Sequence, residues 1–272
     1  MLPIALALYS VRDLMEEDFA CTVRRVKELG YDGVEFAGLF GKAPEDIKAL
    51  FDEVGLDPLS AHVPFLDMME NPKGVLGDYA KIGCKYVAIP HLTDEYRPGA
   101  SKFGEVIEGA KMLGGVAKEL GITLLYHNHE FEFEKLNGKF ALDVLYESVP
   151  AGLLQTQIDT CWVKVAGEDP AQYVRKYKGR APIVHLKDFM RKGSPTRPYQ
   201  LIGIEDDNPA ANDPDSFFEF RSLGQGMQDI PAIVEASIDA GAKWFVVEQD
   251  LPAPGKTSIQ SAQESLAFLK NM

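Results

Sequence analysis

The chain has 272 residues, of which 46% are hydrophobic and 25% are charged. This balance is typical of a globular protein with a large core, which excludes the disordered and fibrous classes, and one domain over residues 1–272 is the default expectation. The net charge of -13 repels phosphate backbones and anionic lipid surfaces. We therefore expect neither nucleic acid nor a membrane as a partner.

The opening segment reads MLPIALALYSVRD, and it predicts a strand over Pro3 to Leu8. A targeting peptide is not expected, because no basic region precedes the apolar run and no small-residue cleavage site follows it. The three cysteines, Cys21, Cys84 and Cys161, are odd in number and lack the spacing of a metal site. They predict no disulfide framework, and we expect a cytoplasmic location.

The rest of the chain repeats one junction, in which an amphipathic helix ends in glycine and a short apolar run follows. Glycine takes the left-handed conformation that ends a helix, and a short apolar run is typical of a buried parallel strand. The junction glycines are Gly30, Gly55, Gly83, Gly121, Gly152, Gly179 and Gly241. Together with the opening strand they predict eight strands, with a helix from about Ser258 to Leu269 as the last element.

Eight strands alternating with helices predict a single (β/α)8 barrel. An open doubly wound sheet and a pair of smaller α/β domains are the competing architectures. The doubly wound sheet usually carries GxGxxG after its first strand, whereas here the first strand runs into YSVRD, which contains no glycine. The long interval after Gly179 contains RKGSPTRPYQLIGIEDDNPAANDPDSFFEF, which predicts a long insertion after strand seven.

Polar side chains follow every predicted strand, at the end that faces the mouth of a barrel. In strand order they are Tyr9 and Arg12, Glu35, His62, His91, His127 with Asn128 and His129, Asp159, His185 with Lys187, and Glu248 with Asp250. This set contains all five histidines of the chain. One such histidine could be a core residue bonded to a backbone carbonyl, but five together predict a functional site.

Asp159, His185 and Glu248 follow three neighbouring predicted strands, six to eight. Oxygen and nitrogen donors on adjacent rigid strands can converge on one divalent ion and leave positions open for substrate oxygens. This donor set favours Mn²⁺, with Mg²⁺, Co²⁺ and Zn²⁺ as alternatives.

The chain resembles the sugar phosphate isomerase/epimerase family, also called the xylose isomerase-like barrels. The resemblance covers nearly the whole chain, through IALALYSVRD, GYDGVEFAG, SAHVPF, YHNHEFEF, QIDTCW, IVHLKDF, LGQGMQDIPAI and FVVEQD. Members bind a divalent metal through Glu, Asp, His and Glu at the ends of strands five to eight. The resemblance implies that Asp159, His185 and Glu248 are the last three ligands. At the first position this chain has His127 in place of Glu; His127 itself or Glu132 could supply the ligand, and we favour His127.

The resemblance implies a metal-dependent sugar isomerase or epimerase that removes a proton next to the carbonyl of a small carbohydrate or keto-polyol. Glu248 is the expected base, and His127, Lys187 or Glu132 would return or relay the proton. Loss of a leaving group would instead make the protein a dehydratase or lyase acting on an inosose or a 3-keto-glycoside. A sugar-binding barrel without catalysis is a further alternative, and a homodimer is implied by resemblance only.

Substrate binding is assigned to the remaining polar residues of the mouth. The expected hydrogen-bonding residues are Arg12, Glu35, His62, His91 and His129. For Glu35 and Arg12 the alternative is a buried ion pair that braces the mouth. Trp162, which closely follows Asp159, is expected to lie against the apolar face of a sugar ring, or alternatively to fill the core.

Overall fold

A computed structural model, which describes residues 1–193 and 217–272, contains a closed barrel of eight parallel strands. The barrel strands are β1 (Ile4–Ala7), β2 (Gly33–Ala37), β3 (Asp57–His62), β4 (Tyr86–Ile89), β5 (Thr123–His127), β8 (Gln155–Asp159), β9 (Ile183–Leu186) and β12 (Trp244–Val247). Each pairs with the next in this order, and β12 pairs with β1 to close the ring. The predicted (β/α)8 barrel is confirmed.

Helices surround the ring and join its strands. They are α1 (Arg12–Glu17), α2 (Phe19–Leu29), α3 (Pro44–Val54), α4 (Phe65–Glu70), α5 (Pro72–Ile82), α6 (Phe103–Glu119), α7 (Ala141–Ser148), α8 (Thr160–Val165), α9 (Pro170–Lys176), α10 (Ile230–Ala240) and α11 (Ser258–Lys270). Short 3-10 turns lie at Leu8–Val11, Asp94–Tyr96 and Phe131–Phe133. Within the described residues, none of the helices combines the length and apolar character needed to cross a bilayer.

Alternation along the strands produces two cores, because successive side chains point to opposite faces of the sheet. The inside of the ring is filled mainly by small or aliphatic side chains, namely Ala5, Ala7, Leu59, Ala88, Leu125, Ile183 and Val246. The larger core lies between the strands and the helices and includes Leu6, Val34, Ile89 and Leu186. Aliphatic side chains on both faces keep the strands rigid up to their polar ends.

The junction glycines behave as predicted at six of the seven positions. Those with positive φ are Gly30, Gly55, Gly83, Gly121, Gly179 and Gly241. Gly152 is the exception and lies in a turn. Helix α7 has already ended before it, at the extended Val149, and the following Pro150 restricts that residue to extended conformations.

In the part of the chain that the structure describes, four further strands lie outside the ring. Strands β6 (Lys135–Leu136) and β7 (Lys139–Phe140) form a small hairpin after β5. Strands β10 (Asp188–Lys192) and β11 (Phe217–Arg221) pair antiparallel with Asp188 opposite Arg221. The predicted insertion spans 191–220, so most of it lies outside the described residues; its two ends form the β10–β11 pair.

Candidate metal centre at the barrel mouth

Four side chains from neighbouring strands meet at the C-terminal mouth of the barrel. They are His127 at the end of β5, Asp159 at the end of β8, His185 on β9 and Glu248 just after β12. One potential ligand atom from each lies within 4.8 Å of the other three, and all four residues are buried. The strand register sets this arrangement, since Asp159 pairs with His185 across β8 and β9. The structure thus brings together the four residues predicted to be metal ligands.

The carboxylate of Asp159 is fixed by helix α8, which begins immediately after it. Its Oδ1 accepts hydrogen bonds from the backbone N–H groups of Cys161 at 2.8 Å and Trp162 at 3.1 Å. Its Oδ2 is buried and has no hydrogen-bond partner among the described residues. Lys187 Nζ lies 3.6 Å from Oδ2, and the imidazole Nε2 of His127 lies 3.7 Å from it. A buried carboxylate oxygen without a partner is costly unless a cation compensates it, so Oδ2 fits a metal ligand.

Two carboxylates hold the imidazole of His185 from opposite sides. Its Nε2 lies 3.0 Å from Glu35 Oε1, and its Nδ1 lies 3.1 Å from Glu248 Oε2. Burial alone would lower the pKa of His185, but these neighbouring carboxylates raise it to about 10. This histidine is therefore fixed in orientation before anything binds.

Glu35 lies buried at the base of the group and serves several partners. Its Oε1 is 2.9 Å from His62 Nε2, and its Oε2 accepts hydrogen bonds from Ser60 Oγ at 2.8 Å and Gln157 Nε2 at 2.6 Å. Burial favours its neutral form, but His62 and His185 hold the pKa of Glu35 below its ordinary range. Glu35 thus stays ionised and contacts the imidazoles of both His62 and His185.

The proposed Glu35–Arg12 ion pair is wrong. The guanidinium of Arg12 donates instead to the backbone carbonyls of Tyr9 and Asp250, each at 2.8 Å, and stacks on the Tyr9 ring at 4.1 Å from its centroid. Carbonyl oxygens near the mouth satisfy Arg12, and the charged neighbours of Glu35 are instead His62 on the adjacent strand and His185 across the ring.

Lys187 is a buried lysine set among acids. Its Nζ lies 2.8 Å from Asp250 Oδ1 and 3.1 Å from Glu248 Oε2, and it stands 5.2 Å from the centre of the Trp162 ring. Burial would lower the pKa of Lys187, but Asp250, Glu248 and Asp159 raise it well above its ordinary value. The mouth therefore contains a lysine that is protonated at neutral pH and is outnumbered by carboxylates.

The two candidates for the first ligand have different surroundings. Burial, helped by His185 and His62, lowers the pKa of His127 well below its ordinary value, which leaves the neutral imidazole that metals bind. Glu132 lies outside the four-residue group. Its two oxygens accept hydrogen bonds from Tyr126 Oη and from the backbone N–H of His129, each at 2.7 Å. Burial raises the pKa of Glu132 to about 8.

A cavity of about 620 Å³ opens at this end of the barrel. The predicted site residues that line it are His62, His91, His127, His129, Lys187 and Glu248, together with Tyr9 and Asp250. Arg12 and Glu35 are not among its lining residues. Trp162 has no exposed surface and lies in an aromatic cluster with Phe189, Phe218 and Phe220, which corresponds to the core-filling alternative. His129, whose ring lies 5.3 Å from that of Trp162, does line the cavity.

Gln157, at the base of this group, was not predicted from the sequence as a site residue. Gln157 joins Glu35 to His62, since its Nε2 donates to Glu35 and its Oε1 lies 2.8 Å from His62 Nε2. The signal that could have found it is its spacing, because a residue two before Asp159 on the same strand points to the same face. A buried Gln on an interior face needs polar partners.

The closed ring and the four converging side chains at its C-terminal mouth define a TIM barrel with a candidate metal centre. A family model described as "Xylose isomerase-like TIM barrel" matches residues 23–272. The chain therefore belongs to the xylose isomerase-like TIM barrel family.

Individual relatives are distant. An inosose dehydratase from Geobacillus kaustophilus is 25% identical over 183 residues, which cover 59% of this chain and 59% of that protein. A sugar phosphate isomerase/epimerase structure from Parabacteroides distasonis has a TM-score of 0.78 at 22% identity, covering 100% of this chain and 99% of the other. A structure of IOLI protein with a bound zinc atom has a TM-score of 0.69 at 15% identity, covering 99% and 97%. Such structural likeness demonstrates the shared fold.

Proposed function

We propose that this protein is a metal-dependent enzyme that isomerises or epimerises a small carbohydrate by moving a proton at a carbon next to a carbonyl. The observation that carries the proposal is the buried group of His127, Asp159, His185 and Glu248, two of whose members line an open cavity. The sugar-processing names of the relatives support a carbohydrate substrate. The proposed site also contains titratable groups with strongly altered pKa values, as active sites commonly do.

The four residues of this group would bind the metal. A divalent ion there would act as a Lewis acid toward the carbonyl oxygen of the substrate. The mixed nitrogen and oxygen donors suit Mn²⁺ best in our proposal, with Co²⁺, Mg²⁺ and Zn²⁺ as alternatives. The zinc in the IOLI structure supports the Zn²⁺ alternative.

Glu248 is the proposed base, because its carboxylate lines the cavity and is held ionised. Burial would raise its pKa, but Lys187 and His185 keep the pKa of Glu248 well below its ordinary value. Lys187 lies beside it and would stabilise negative charge that develops on a substrate oxygen. Glu132 has no comparable access, since both its oxygens are bonded and it is not among the residues that line the cavity.

The cavity histidines are proposed to bind substrate hydroxyls. Burial, together with Arg97, lowers the pKa of His91 to about 4. Burial and the neighbouring His91 likewise lower the pKa of His129. Neutral imidazoles donate from one nitrogen and accept at the other, which matches the two roles of a hydroxyl group.

Dehydration is the second candidate, and the character of His127 favours it. Epimerisation needs a proton to be removed on one face of the substrate and returned on the other. The first ligand position holds a neutral imidazole here, so Glu248 is the one carboxylate of the four-residue group that lines the cavity, with Lys187 beside it. Removal of a proton by Glu248 and protonation of a departing hydroxyl by Lys187 would suffice for a dehydratase. The inosose dehydratase relatives support this alternative.

The test is proton exchange in D₂O. The Mn²⁺-loaded protein would be incubated with ketoses, inososes and 3-keto-glycosides, and deuterium incorporation followed by NMR. Isomerisation predicts exchange with an isomeric product, and dehydration predicts loss of water. We expect Glu248→Gln to abolish exchange and Glu264→Gln, the same change at a surface ion pair with Lys256, to retain it. Exchange that persists in Glu248→Gln would remove this residue as the base.

A non-catalytic sugar-binding barrel would behave differently in the same assay. It would bind sugars without exchange on any substrate of the panel, and it would bind less than about one equivalent of metal per chain after loading with Mn²⁺. Metal analysis of the purified protein therefore separates the binding role from catalysis.

A further inference from the structure

The cavity is bounded by two chemically different arcs of the barrel. The polar arc comprises the ends of β5, β8, β9 and β12, which follow one another around the ring. The opposite arc comprises the ends of β2, β3 and β4 with helix α5, and its lining is mainly apolar. It consists chiefly of Leu39, Val63, Pro64, Val75, Tyr79 and Pro90. The proposed chemistry uses none of these six residues, which we call the apolar arc.

Local sequence places these side chains at the cavity. Gly38 has a φ of 84°, which turns the chain directly after β2 and precedes Leu39. Pro64 stands at the N-cap of α4, and Pro90 directly follows β4. The two prolines restrict the backbone here, and Gly38 permits the turn after β2, so the apolar arc is formed before a ligand arrives.

The size of the cavity exceeds the need of a single sugar ring. Its volume of about 620 Å³ lies within the range of roughly 300–1,000 Å³ that holds drug-sized ligands. A monosaccharide is smaller than such a ligand, and its hydroxyls can be bound by the cavity histidines. His62 and His91 border the apolar arc, but the six residues of the arc offer only the Tyr79 hydroxyl as a polar side-chain group, so burying a sugar hydroxyl against the others would cost free energy. An apolar group gains by leaving water at the same place.

The charges of the lining disfavour an anionic substituent. Asp67 and Asp78 belong to the same side of the cavity; Asp78 pairs with Lys81 at 3.0 Å, whereas Asp67 has no ion-pair partner among the described residues. Lys187 is the only lysine or arginine among the described residues that line the cavity, and it already contacts Glu248 and Asp250. A phosphate group would thus meet carboxylates without a free cation.

From these observations we infer that the substrate is an uncharged glycoside, with its sugar ring at the four-residue group and an apolar aglycone against the apolar arc. The inference rests on the proposed function, since it places the reacting sugar at Glu248. It adds a subsite for the part of the substrate that does not react. Binding free energy from such a remote part can improve catalysis at the reacting carbon.

The test compares matched ligands by calorimetric titration of the Mn²⁺-loaded protein. The probes are methyl and phenyl 3-keto-β-D-glucopyranoside, with fructose 6-phosphate as the anionic comparison. We expect the phenyl glycoside to bind about tenfold or more tightly than the methyl glycoside, as apolar pockets discriminate to this degree. Fructose 6-phosphate is expected to bind more weakly than either.

Two variants and a matched control locate the preference. Val75→Thr and Leu39→Asn should each reduce the ratio of phenyl to methyl affinity to threefold or less while leaving methyl binding unchanged. Val116→Thr makes the same change as Val75→Thr at a half-buried helix position outside the cavity lining, and should keep the full ratio. Equal affinity for both glycosides, absence of binding, or tighter binding of fructose 6-phosphate overturns the inference.

Exchange measurements separate this inference from the proposed function. Equal exchange rates and equal affinities for methyl and phenyl substrates would leave the proposed function intact and remove the aglycone subsite. A preserved phenyl preference with no exchange on any substrate would support the subsite and remove the proposed catalysis.

Discussion

Two polar networks in this molecule, one half-buried and one buried, follow opposite rules. Beside the ring, Arg180 donates hydrogen bonds to the backbone carbonyls of Tyr146, Val149 and Leu154 at 2.7 to 3.1 Å. These acceptors lie at the end of α7 and just beyond it, where helix carbonyls lack intrahelical partners. Each hydrogen bond joins two groups of the protein, so this network contributes to stability.

At the barrel mouth the arrangement is the reverse. Asp159 Oδ2 is left without a hydrogen-bond partner among the described residues, and carboxylates gather around Lys187. Such a concentration of like charge opposes folding unless a ligand compensates it. Burial and polarity alone therefore do not identify a site; at the mouth an unsatisfied carboxylate oxygen coincides with three other potential ligands. Changes at the mouth should remove function, and changes at Arg180 should remove stability.

The largest expected effect is at the mouth. Asp159→Asn keeps an acceptor for the N–H groups of Cys161 and Trp162 but replaces the free carboxylate oxygen by a donor. We expect metal binding to be lost and turnover to fall by about 10²–10³-fold. The thermal midpoint of the metal-free protein should stay within about 4 °C, since a buried charge is removed. Metal titration and thermal unfolding measure both, and retained metal affinity would contradict the assignment of Asp159.

The second effect reverses this pattern. Arg180→Gln removes charge-assisted hydrogen bonds to three carbonyls, and we expect the free energy of unfolding to drop by about 2–3 kcal/mol. Urea unfolding measures this change, while the metal content of the folded protein should not alter. Arg175→Gln is the control, because Arg175 pairs with Asp239 only at the exposed surface. Equal free energies of unfolding for the Arg180→Gln variant and the native protein would contradict the claim that these hydrogen bonds contribute to stability.

A third effect concerns a buried acid between the two networks. The pKa of Glu132 is about 8 in the folded chain against an ordinary value of 4.5. From pH 5 to 8 the folded chain keeps this proton and the unfolded chain does not, so stability falls as pH rises, by about 1.4 kcal/mol per pH unit. Glu132→Gln should remove this component, and Glu134→Gln, at a neighbouring exposed position, should retain it. Unfolding curves at several pH values measure this component. Identical slopes of unfolding free energy against pH for the native protein and the two variants would exclude a contribution from Glu132.

The smallest expected effect is at an exposed ion pair. Lys48 and Asp52 form an exposed i,i+4 ion pair on α3 at 2.8 Å. Lys48→Ala should change the free energy of unfolding by no more than about 0.5 kcal/mol. A loss as large as that of Arg180→Gln would mean that the contrast between buried and exposed charge does not hold in this chain.

Much of the fold follows from local chemistry. The glycines that end helices predicted the positions of the strands, because that conformational demand is satisfied within a few residues. Gly152 also precedes its predicted strand, β8, but it does not take the left-handed conformation, because Pro150 ends helix α7 before the glycine is reached. The β10–β11 pair was not predicted, because pairing of segments far apart in sequence has no local signal.

The candidate site, like the fold, could be predicted from the sequence only in part. Residues such as Asp159 and His185 could be predicted from their positions at strand ends. The partners of Glu35 could not, because Gln157 and His185 approach it only across the closed ring, and the strand register that places Ser60 beside it has no local signal. Trp162 is covered by Phe218 and Phe220 of β11, so its burial depends on the strand pair that the sequence did not reveal.

The strand that closes the ring also delivers the proposed base. Ile4 of β1 pairs with Phe245 of β12, and Glu248 comes directly after that strand. During synthesis on the ribosome, β1 is made early but waits for almost the whole chain before its partner appears. Until then β1 and β9 present open edges that can join other chains. Binding of a metal would therefore report completion of the barrel, and a nascent chain that stops short of β12 should aggregate without ever acquiring the site.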